Sequence, residues 1–372
     1  MNQSSALDEP CWCGSALRLG DCHFDREHRR PLLLSDVDDE ARRRGNQPRC
    51  WAAPATSTPC AGGAALSHTV ARASLEKIAR EQHVYSVAWG GVTSLIRTMG
   101  KRMPKLLGIR QASAFFGFCV GHDNSLFEPI EQRPFAGTPE QCALLLYRAV
   151  CRELHYCNVK NDMFPTYRLL DSGLGIDEQR EHQSLCAKRA DTASIELRTL
   201  ESMRGEIGRA ISLKQYDWCG YWVLELERPP PVMCCGLSFE SSPLTVAGRD
   251  SKTRPVLQGL SMHGFTSYGR HFVALVWDLR QGPVAGRRVQ AWRFSLPQET
   301  VGRYLAIRMI EMSDNTHIAP DWWDDQVFEI KEMLIGRINS GIGEGTYQGS
   351  AFWDGLRLPF PRPVVEVSVR LQ

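Results

Sequence analysis

The hydrophobic period of this chain changes from helical to strand-like at about residue 216, and that change constrains the fold more than any other feature. Before it, "TPEQCALLLYRAVCRELHY" (138–156) predicts a helix, because Thr138 can cap the first free backbone N–H groups and Pro139 fits the first turn. A second long helix is predicted over 177–211, where an apolar stripe runs along an otherwise charged segment. A shorter helix is predicted to begin at Ser67.

Beyond residue 216 the apolar residues follow the period of strands. The stretches "YWVLELER", "RHFVALVWDL" and "VVEVSVRL" predict three strands, and the second is apolar throughout, which is typical of a strand buried on both faces. Helices are predicted to interrupt this part at 299–312 and 324–338. Helices first and strands later favour an α+β fold over an alternating α/β fold.

The length of 372 residues allows two globular units or one large one. We predict a small unit over 1–30, a linker over 31–66, a mainly helical region over 67–215 and a β-rich region with two helices over 216–372. The linker is predicted because proline, glycine and small residues dominate its second half and no core period recurs there.

Charge and hydropathy exclude several classes of protein. The formal net charge is only +2, so bulk charge gives no argument for a nucleic-acid partner. No apolar run approaches the roughly eighteen residues of a membrane-spanning helix. The start "MNQSSALDEP" has neither the basic residues nor the apolar core of a signal peptide.

The 13 cysteines are an odd number, which favours thiols and metal ligands over a disulfide framework. A reducing compartment suits them, and we expect a cytoplasmic protein. Cys142, Cys186 and Cys219 lie among apolar or helix-forming neighbours, where free cysteine commonly acts as a small buried hydrophobe.

Ligand-type side chains concentrate in "CWCGSALRLGDCH" (11–23). The four candidate zinc ligands are Cys11, Cys13, Cys22 and His23. Structural zinc sites take four sulfur and nitrogen ligands, and Gly14 with Ser15 permits the sharp turn that brings the first two together. Leu17 and Leu19 could form an apolar floor. Because so short a segment buries little, bound Zn²⁺ must supply most of its folding free energy.

The pattern Cys-x-Cys-Gly-Ser, six further residues and Cys-His resembles the SEC-C zinc motif. Ala16, where that motif usually has glycine, and Leu19-Gly20, where an aromatic and a basic residue are common, depart from it without removing a ligand. The resemblance implies a small zinc-stabilised surface that docks on proteins or ribosomes. A basic rim suits an acidic protein surface or RNA, although a solvated charged face is equally consistent with it. The rim comprises Arg18, Arg26, His28, Arg29 and Arg30.

A second concentration of chemistry lies in "FFGFCVGHDNSLFEPIEQRPF" (115–135). Its candidates are Cys119 and His122, spaced as half a metal site, with Asp123 and Glu131 as third ligands or as partners that orient His122. Three interpretations stay open: core packing with helix capping, a metal site, or a catalytic Cys119 thiolate paired with His122. Further ligands could come from His155, Cys157 or His182.

The order of segments also resembles a group of bacterial SEC-C proteins, through the "CVGHDNSLFEPIE" run, the helix "YRAVCREL" and "NTHIAPDWW". This resemblance implies an architecture and no reaction. The leading hypothesis is a zinc-binding protein whose SEC-C unit docks on a protein or ribonucleoprotein partner. The alternative is a metal-dependent hydrolase or nuclease centred on Cys119, His122 and Asp123, in which Arg148 and Arg152 hold a phosphate. The sequence does not define an oligomeric state.

Overall fold

A computed structural model describes residues 7–60, 62–63, 65–87, 90–241, 257–340 and 360–371. Its α-helices are α1 (Leu19–Cys22), α2 (Leu34–Gly45), α3 (Arg72–Leu75), α4 (Val92–Arg97), α5 (Val120–Leu126), α6 (Glu128–Glu131), α7 (Pro139–Asp162), α8 (Phe164–Arg168), α9 (Ile176–Ser212), α10 (Val284–Ser295), α11 (Gln298–Met312), α12 (Pro320–Asp324) and α13 (Phe328–Ser340). Its strands are β1 (Ala65–His68), β2 (His83–Ser86), β3 (Lys105–Gly108), β4 (Ala114–Phe118), β5 (Cys219–Leu226), β6 (Val232–Ser241), β7 (Leu257–Ser267), β8 (Arg270–Asp278), β9 (Thr316–Ile318) and β10 (Pro363–Arg370). Short 3₁₀ turns lie at Arg26–His28, Leu169–Asp171 and Leu279–Gln281.

The fold is α+β, as predicted, and one antiparallel sheet of eight strands forms its centre. The strand order is β10-β5-β8-β7-β6-β9-β2-β3, so the described strands β5 to β10 of the C-terminal half lie in one sheet, to which the earlier β2 and β3 add an edge. Helices cover both faces. The side chains of β8 alternate between two cores, with Ala274 and Val276 facing one and Leu275 and Trp277 facing the other. The prediction of a strand buried on both faces is therefore confirmed.

The long helices α7 and α9 pack on each other and cover one face of the sheet. The predicted cap of α7 is present: the Thr138 hydroxyl accepts the Gln141 N–H at 3.2 Å, and the Gln141 side-chain oxygen accepts the Thr138 N–H at 3.4 Å. Helix α9 runs over Ile176–Ser212, close to the predicted range. The other face carries α10 and α11; α10 was not predicted.

The helix predicted to begin at Ser67 is wrong in the structure. Ser67 lies in β1, which pairs with β4 in a small two-stranded sheet. Within the stretch predicted to be helical, 67–82, the helix is limited to Arg72–Leu75. The backbone hydrogen bonds of β4 and burial of Ser67 beside Phe115 outweigh the weak local preference for helix.

The segment 31–66, predicted as a linker, contains packed structure. It includes helix α2, whose Val37 side chain is buried, and Asp38 accepts the Val92 N–H at the start of α4. Farther along, the Tyr147 hydroxyl of α7 donates to the Trp51 carbonyl at 2.8 Å. A few buried apolar side chains and hydrogen bonds to the backbone hold this segment in place, although its sequence shows no periodic apolar pattern. The division into four segments itself stays a prediction.

Among the helices that the structure describes, none combines the length and apolar character required to cross a membrane.

Candidate metal centres

The four N-terminal candidates lie together in a compact loop that ends in α1. The two turns between Cys13 and Cys22 are set by backbone with positive φ at Gly14 (73°) and Ala16 (61°), and the Cys11 N–H donates to the Leu17 carbonyl at 2.8 Å. The ligand atoms of Cys11, Cys13, Cys22 and His23 lie within 4.8 Å of one another.

Individual distances in this cluster match a tetrahedral ion. His23 Nδ1 lies 3.2 Å from Cys11 Sγ and 3.1 Å from Cys22 Sγ, and Cys13 Sγ lies 3.6 Å from Cys22 Sγ. A zinc ion with Zn–S bonds of about 2.3 Å separates its sulfur ligands by roughly 3.8 Å. The four groups can therefore close around one ion with small adjustments.

The imidazole of His23 is held in the form that binds a metal. Its Nε2 lies 3.0 Å from Oδ2 of the fully buried Asp171, which accepts the Nε2 proton and leaves the Nδ1 lone pair facing the sulfurs. Burial lowers the pKa of His23, which favours the neutral ring. Gln183 donates to the same Asp171 oxygen at 2.6 Å, and Arg26 contacts the other oxygen at 2.7 Å.

The thiols of the cluster differ in their surroundings. Burial raises the pKa of Cys11 to about 11, so in the absence of an ion its sulfur holds a proton that a metal would displace. At Cys13 burial also opposes ionisation, but hydrogen bonds from Ser15 outweigh it and lower the pKa. A bound metal would thus displace the proton held by Cys11.

The N-terminal unit packs against the helical region and makes direct hydrogen bonds to it, in addition to the chain connection between them. Arg168 donates to the Cys13 carbonyl at 3.4 Å, and Arg26 donates to the Arg168 carbonyl at 3.0 Å. Arg26 was predicted as part of an exposed basic rim, yet it is 4% exposed because it pairs with Asp171. Leu17 was predicted as an apolar floor and is instead 53% exposed.

The second predicted set divides in the structure. Cys119 and His122 lie together, but their neighbours are Cys50 and Cys60, and these four ligand atoms lie within 4.8 Å of one another. Glu131 is not among them because its carboxylate pairs with Arg148 at 2.6 Å.

Neither Asp123 nor Glu131 orients the His122 ring as predicted. His122 Nε2 contacts the Thr58 carbonyl at 3.0 Å, so a backbone oxygen takes that part. The three other proposed ligands also lie elsewhere: His155 Nε2 contacts the Gly45 carbonyl, His182 the Tyr167 carbonyl and Cys157 the Ala193 carbonyl.

Cys50 and Cys60 were not predicted as ligands because both lie in the segment that was predicted to be a linker. The available signal was the presence of two cysteines in a stretch rich in proline and glycine. Because the sequence shows no core pattern in that stretch, a role as metal ligands was open to them. Their partners Cys119 and His122 lie far along the chain, so no local spacing joins the four.

The two arginines of α7 are not free to bind a phosphate. Arg148 pairs with Glu131, and its guanidinium lies 3.9 Å from the centre of the Phe127 ring. Arg152 contacts Asp314 at 2.7 Å and also pairs with Glu153. Protein carboxylates already neutralise both positive charges, which contradicts the predicted anion clamp.

Cys142, Cys186 and Cys219 are buried, as predicted, and burial raises the pKa of each thiol.

A comparison with known protein families, with curated proteins and with solved structures finds no match to the chain in any of the three.

Proposed function

We propose that this chain is a zinc-binding protein whose N-terminal SEC-C-type unit docks on a protein or ribonucleoprotein partner. One observation carries the proposal: the ligand atoms of Cys11, Cys13, Cys22 and His23 lie within 4.8 Å of one another, and a buried carboxylate orients the histidine. Three thiols and one imidazole suit tetrahedral Zn²⁺ better than hard cations, which prefer oxygen ligands.

The backbone at Ala16 supports the assignment to the SEC-C type. Its φ of 61° lies in the left-handed region that glycine adopts without strain, and glycine is the usual residue of the motif at this position. Ala16 thus has a backbone conformation that suits the glycine usual in the motif. It costs some strain at one residue and leaves every ligand in place.

A docking role is supported by exposed apolar side chains of the N-terminal unit that surround its four candidate metal ligands. Trp12, Leu17 and Phe24 are 37%, 53% and 48% exposed. The Trp12 ring lies 4.4 Å from the His23 ring, so part of this surface rests directly on a candidate ligand. Exposed apolar residues within a polar rim are typical of interaction sites, and Arg29 and Arg30 supply positive charge nearby.

The alternative of a metal-dependent hydrolase or nuclease has less support. A catalytic zinc needs an open position for water, whereas the group around Cys119 and His122 offers four protein ligands. The arginines that would hold the substrate phosphate pair with carboxylates instead.

Metal analysis of the purified full chain tests the first half of the proposal. We expect zinc in the wild-type protein and the loss of one equivalent in Cys13→Ser, whose side chain is partly exposed and whose replacement opens no cavity. A wild-type protein that contains no zinc, or a Cys13→Ser protein with the wild-type zinc content, would refute it.

Co-sedimentation with bacterial ribosomes tests the second half. We expect the wild-type protein to sediment with ribosomes and Leu17→Asp/Phe24→Asp to stay in the supernatant with its zinc retained, because neither side chain is a ligand. Ile195→Asp, on an exposed part of α9, serves as the matched control and should sediment normally. Equal sedimentation of all three proteins would rule out docking through this surface on a ribonucleoprotein.

A further inference from the structure

We propose that Cys50, Cys60, Cys119 and His122 form a second, structural zinc site that clamps residues 49–60 onto the body of the protein. This site lies outside the N-terminal unit and does not depend on the docking role proposed for that unit. It takes a single divalent ion of the zinc class and binds no substrate.

The four side chains come from three parts of the chain that reach one point. Cys119 is the last residue before α5, and His122 lies in its first turn. Cys50 and Cys60 begin and end an irregular segment that passes alongside β4. The four ligand atoms lie within 4.8 Å of one another, and Cys50 Sγ lies 3.2 Å from His122 Nδ1.

Hydrogen bonds around the cluster suit a metal-bound sulfur and fix the histidine ring. The Cys119 N–H donates to Cys50 Sγ at 3.4 Å, an interaction that stabilises a metal-bound thiolate. His122 Nε2 lies 3.0 Å from the Thr58 carbonyl, which accepts the Nε2 proton and leaves Nδ1 facing the sulfurs. The same arrangement, with a carboxylate in place of the carbonyl, holds His23 in the N-terminal cluster.

The ligand types select the ion. Three soft sulfurs with one imidazole suit Zn²⁺ and exclude magnesium and calcium, which require several oxygen ligands. Four protein ligands complete a tetrahedron and leave no position for a reacting water, so the ion is structural. Cys119 and His122 are almost fully buried, and Cys60 closes the site from the solvent side.

The segment that the ion would hold has little else to fix its far end. Near Cys50, the Arg49 and Trp51 N–H groups donate to carbonyls of β4 at 3.1 and 2.9 Å, and Ala52 and Ala55 are buried. From Ser57 to Cys60 every residue is exposed. A metal bond at Cys60 supplies there the free energy that a core supplies elsewhere.

Zinc content per chain tests this inference. We expect about two equivalents in the wild-type protein, one in Cys60→Ser, one in Cys13→Ser and none in the double variant, since each change removes one ligand of one site. Cys60 is exposed, so its replacement by serine leaves the core intact. Asp123→Asn and Glu131→Gln, whose carboxylates lie outside the ligand group, serve as controls and should keep two equivalents.

Replacement of zinc by cobalt gives an independent readout of the ligands. We expect tetrahedral cobalt spectra in both single cysteine variants, each with sulfur-to-metal charge-transfer absorption, because each variant keeps one site with three thiolates. Hydrogen exchange of residues 49–60 should be faster in Cys60→Ser than in Cys13→Ser. The inference is overturned if the wild-type protein holds a single zinc that Cys13→Ser removes and Cys60→Ser does not. A wild-type protein with one zinc that only Cys60→Ser removes would instead refute the N-terminal site and retain this one.

Discussion

His23 Nε2 lies 3.0 Å from Asp171 Oδ2, although the two residues are 148 positions apart in sequence. Through this contact the candidate metal cluster reaches into the helical region, where Gln183 of α9 donates to the same Asp171 oxygen. The pairing of Asp171 with Arg26 adds a charged contact between the two parts. The N-terminal unit and the body are thus joined at the one histidine that the cluster contains.

Asp171→Asn should lower the zinc affinity of the N-terminal site by about 10- to 100-fold, the usual effect of losing a carboxylate that orients a ligand histidine. The variant also leaves the buried Arg26 without its ion pair. A competition titration with a chelator of known affinity measures the change. Asp177→Asn, which removes an exposed carboxylate at the start of α9, should leave affinity unchanged. Equal affinities for all three proteins would show that Asp171 does not orient the ligand.

The sequence predicted the parts of this protein that depend on residues close together in the chain. The spacing of Cys11, Cys13, Cys22 and His23 required no long-range information, and neither did the cap at Thr138. Asp171 could not be found, because nothing local distinguishes it from other carboxylates.

Elements that depend on distant partners were missed or wrong. The segment that begins at Ser67 has a helical pattern of apolar residues, but pairing with β4 makes Ser67 part of a strand. Cys50 and Cys60 gain their meaning only from Cys119 and His122, which the fold brings beside them. Long-range pairing of this kind leaves no periodic signal in a single sequence.

The cap of α7 permits a test of local stability. Thr138→Ala removes the hydroxyl that accepts the Gln141 N–H and should lower the free energy of unfolding by about 1 kcal/mol. Thr192→Ala changes an exposed threonine in the interior of α9, whose hydroxyl donates to the Lys188 carbonyl, and should be neutral or slightly stabilising. Urea denaturation measures both. A Thr138→Ala protein as stable as the wild type would show that the cap contributes nothing.

Gly220 of β5 pairs with Trp277 of β8, and the two residues are closely packed. A Cβ atom at residue 220 would lie 2.4 Å from the Trp277 indole, which is fully buried. Gly220→Ala should therefore lower the free energy of unfolding by about 1–3 kcal/mol.

A matched glycine lies in the exposed part of α13. A Cβ atom at Gly336 meets nothing within 4 Å, so Gly336→Ala should raise stability by about 0.5–1 kcal/mol through helix propensity alone. Thermal or urea unfolding of the two variants should give shifts of opposite sign. Two shifts of the same sign would contradict the close packing at Trp277.

A pH-dependent contribution to stability arises where Arg152 lies between Glu153 and Asp314. Burial, together with the nearby Asp314 charge, raises the pKa of Glu153 to about 7 even though Arg152 acts in the opposite direction. The folded state therefore binds this proton more tightly than the unfolded state does. The contribution of protonated Glu153 to the free energy of unfolding is fully present below about pH 4.5 and is lost as the pH rises through about 7.

Glu153→Gln removes that titration and leaves Arg152 its contact with Asp314. The free energy of unfolding of the variant, relative to the wild type, should therefore rise between pH 5 and pH 8, because only the wild-type protein must ionise this partly buried carboxyl. The pKa of Asp314 is lowered, chiefly by Arg152 against the effect of burial, so its own contribution changes at more acidic pH and does not enter this window. Urea denaturation at several pH values measures the difference in free energy of unfolding between the variant and the wild type. Any effect of metal release is common to both proteins and cancels in this difference. Glu181→Gln, on the exposed side of α9, should run parallel to the wild type. A Glu153→Gln curve that also runs parallel would show that Glu153 ionises normally in the folded protein.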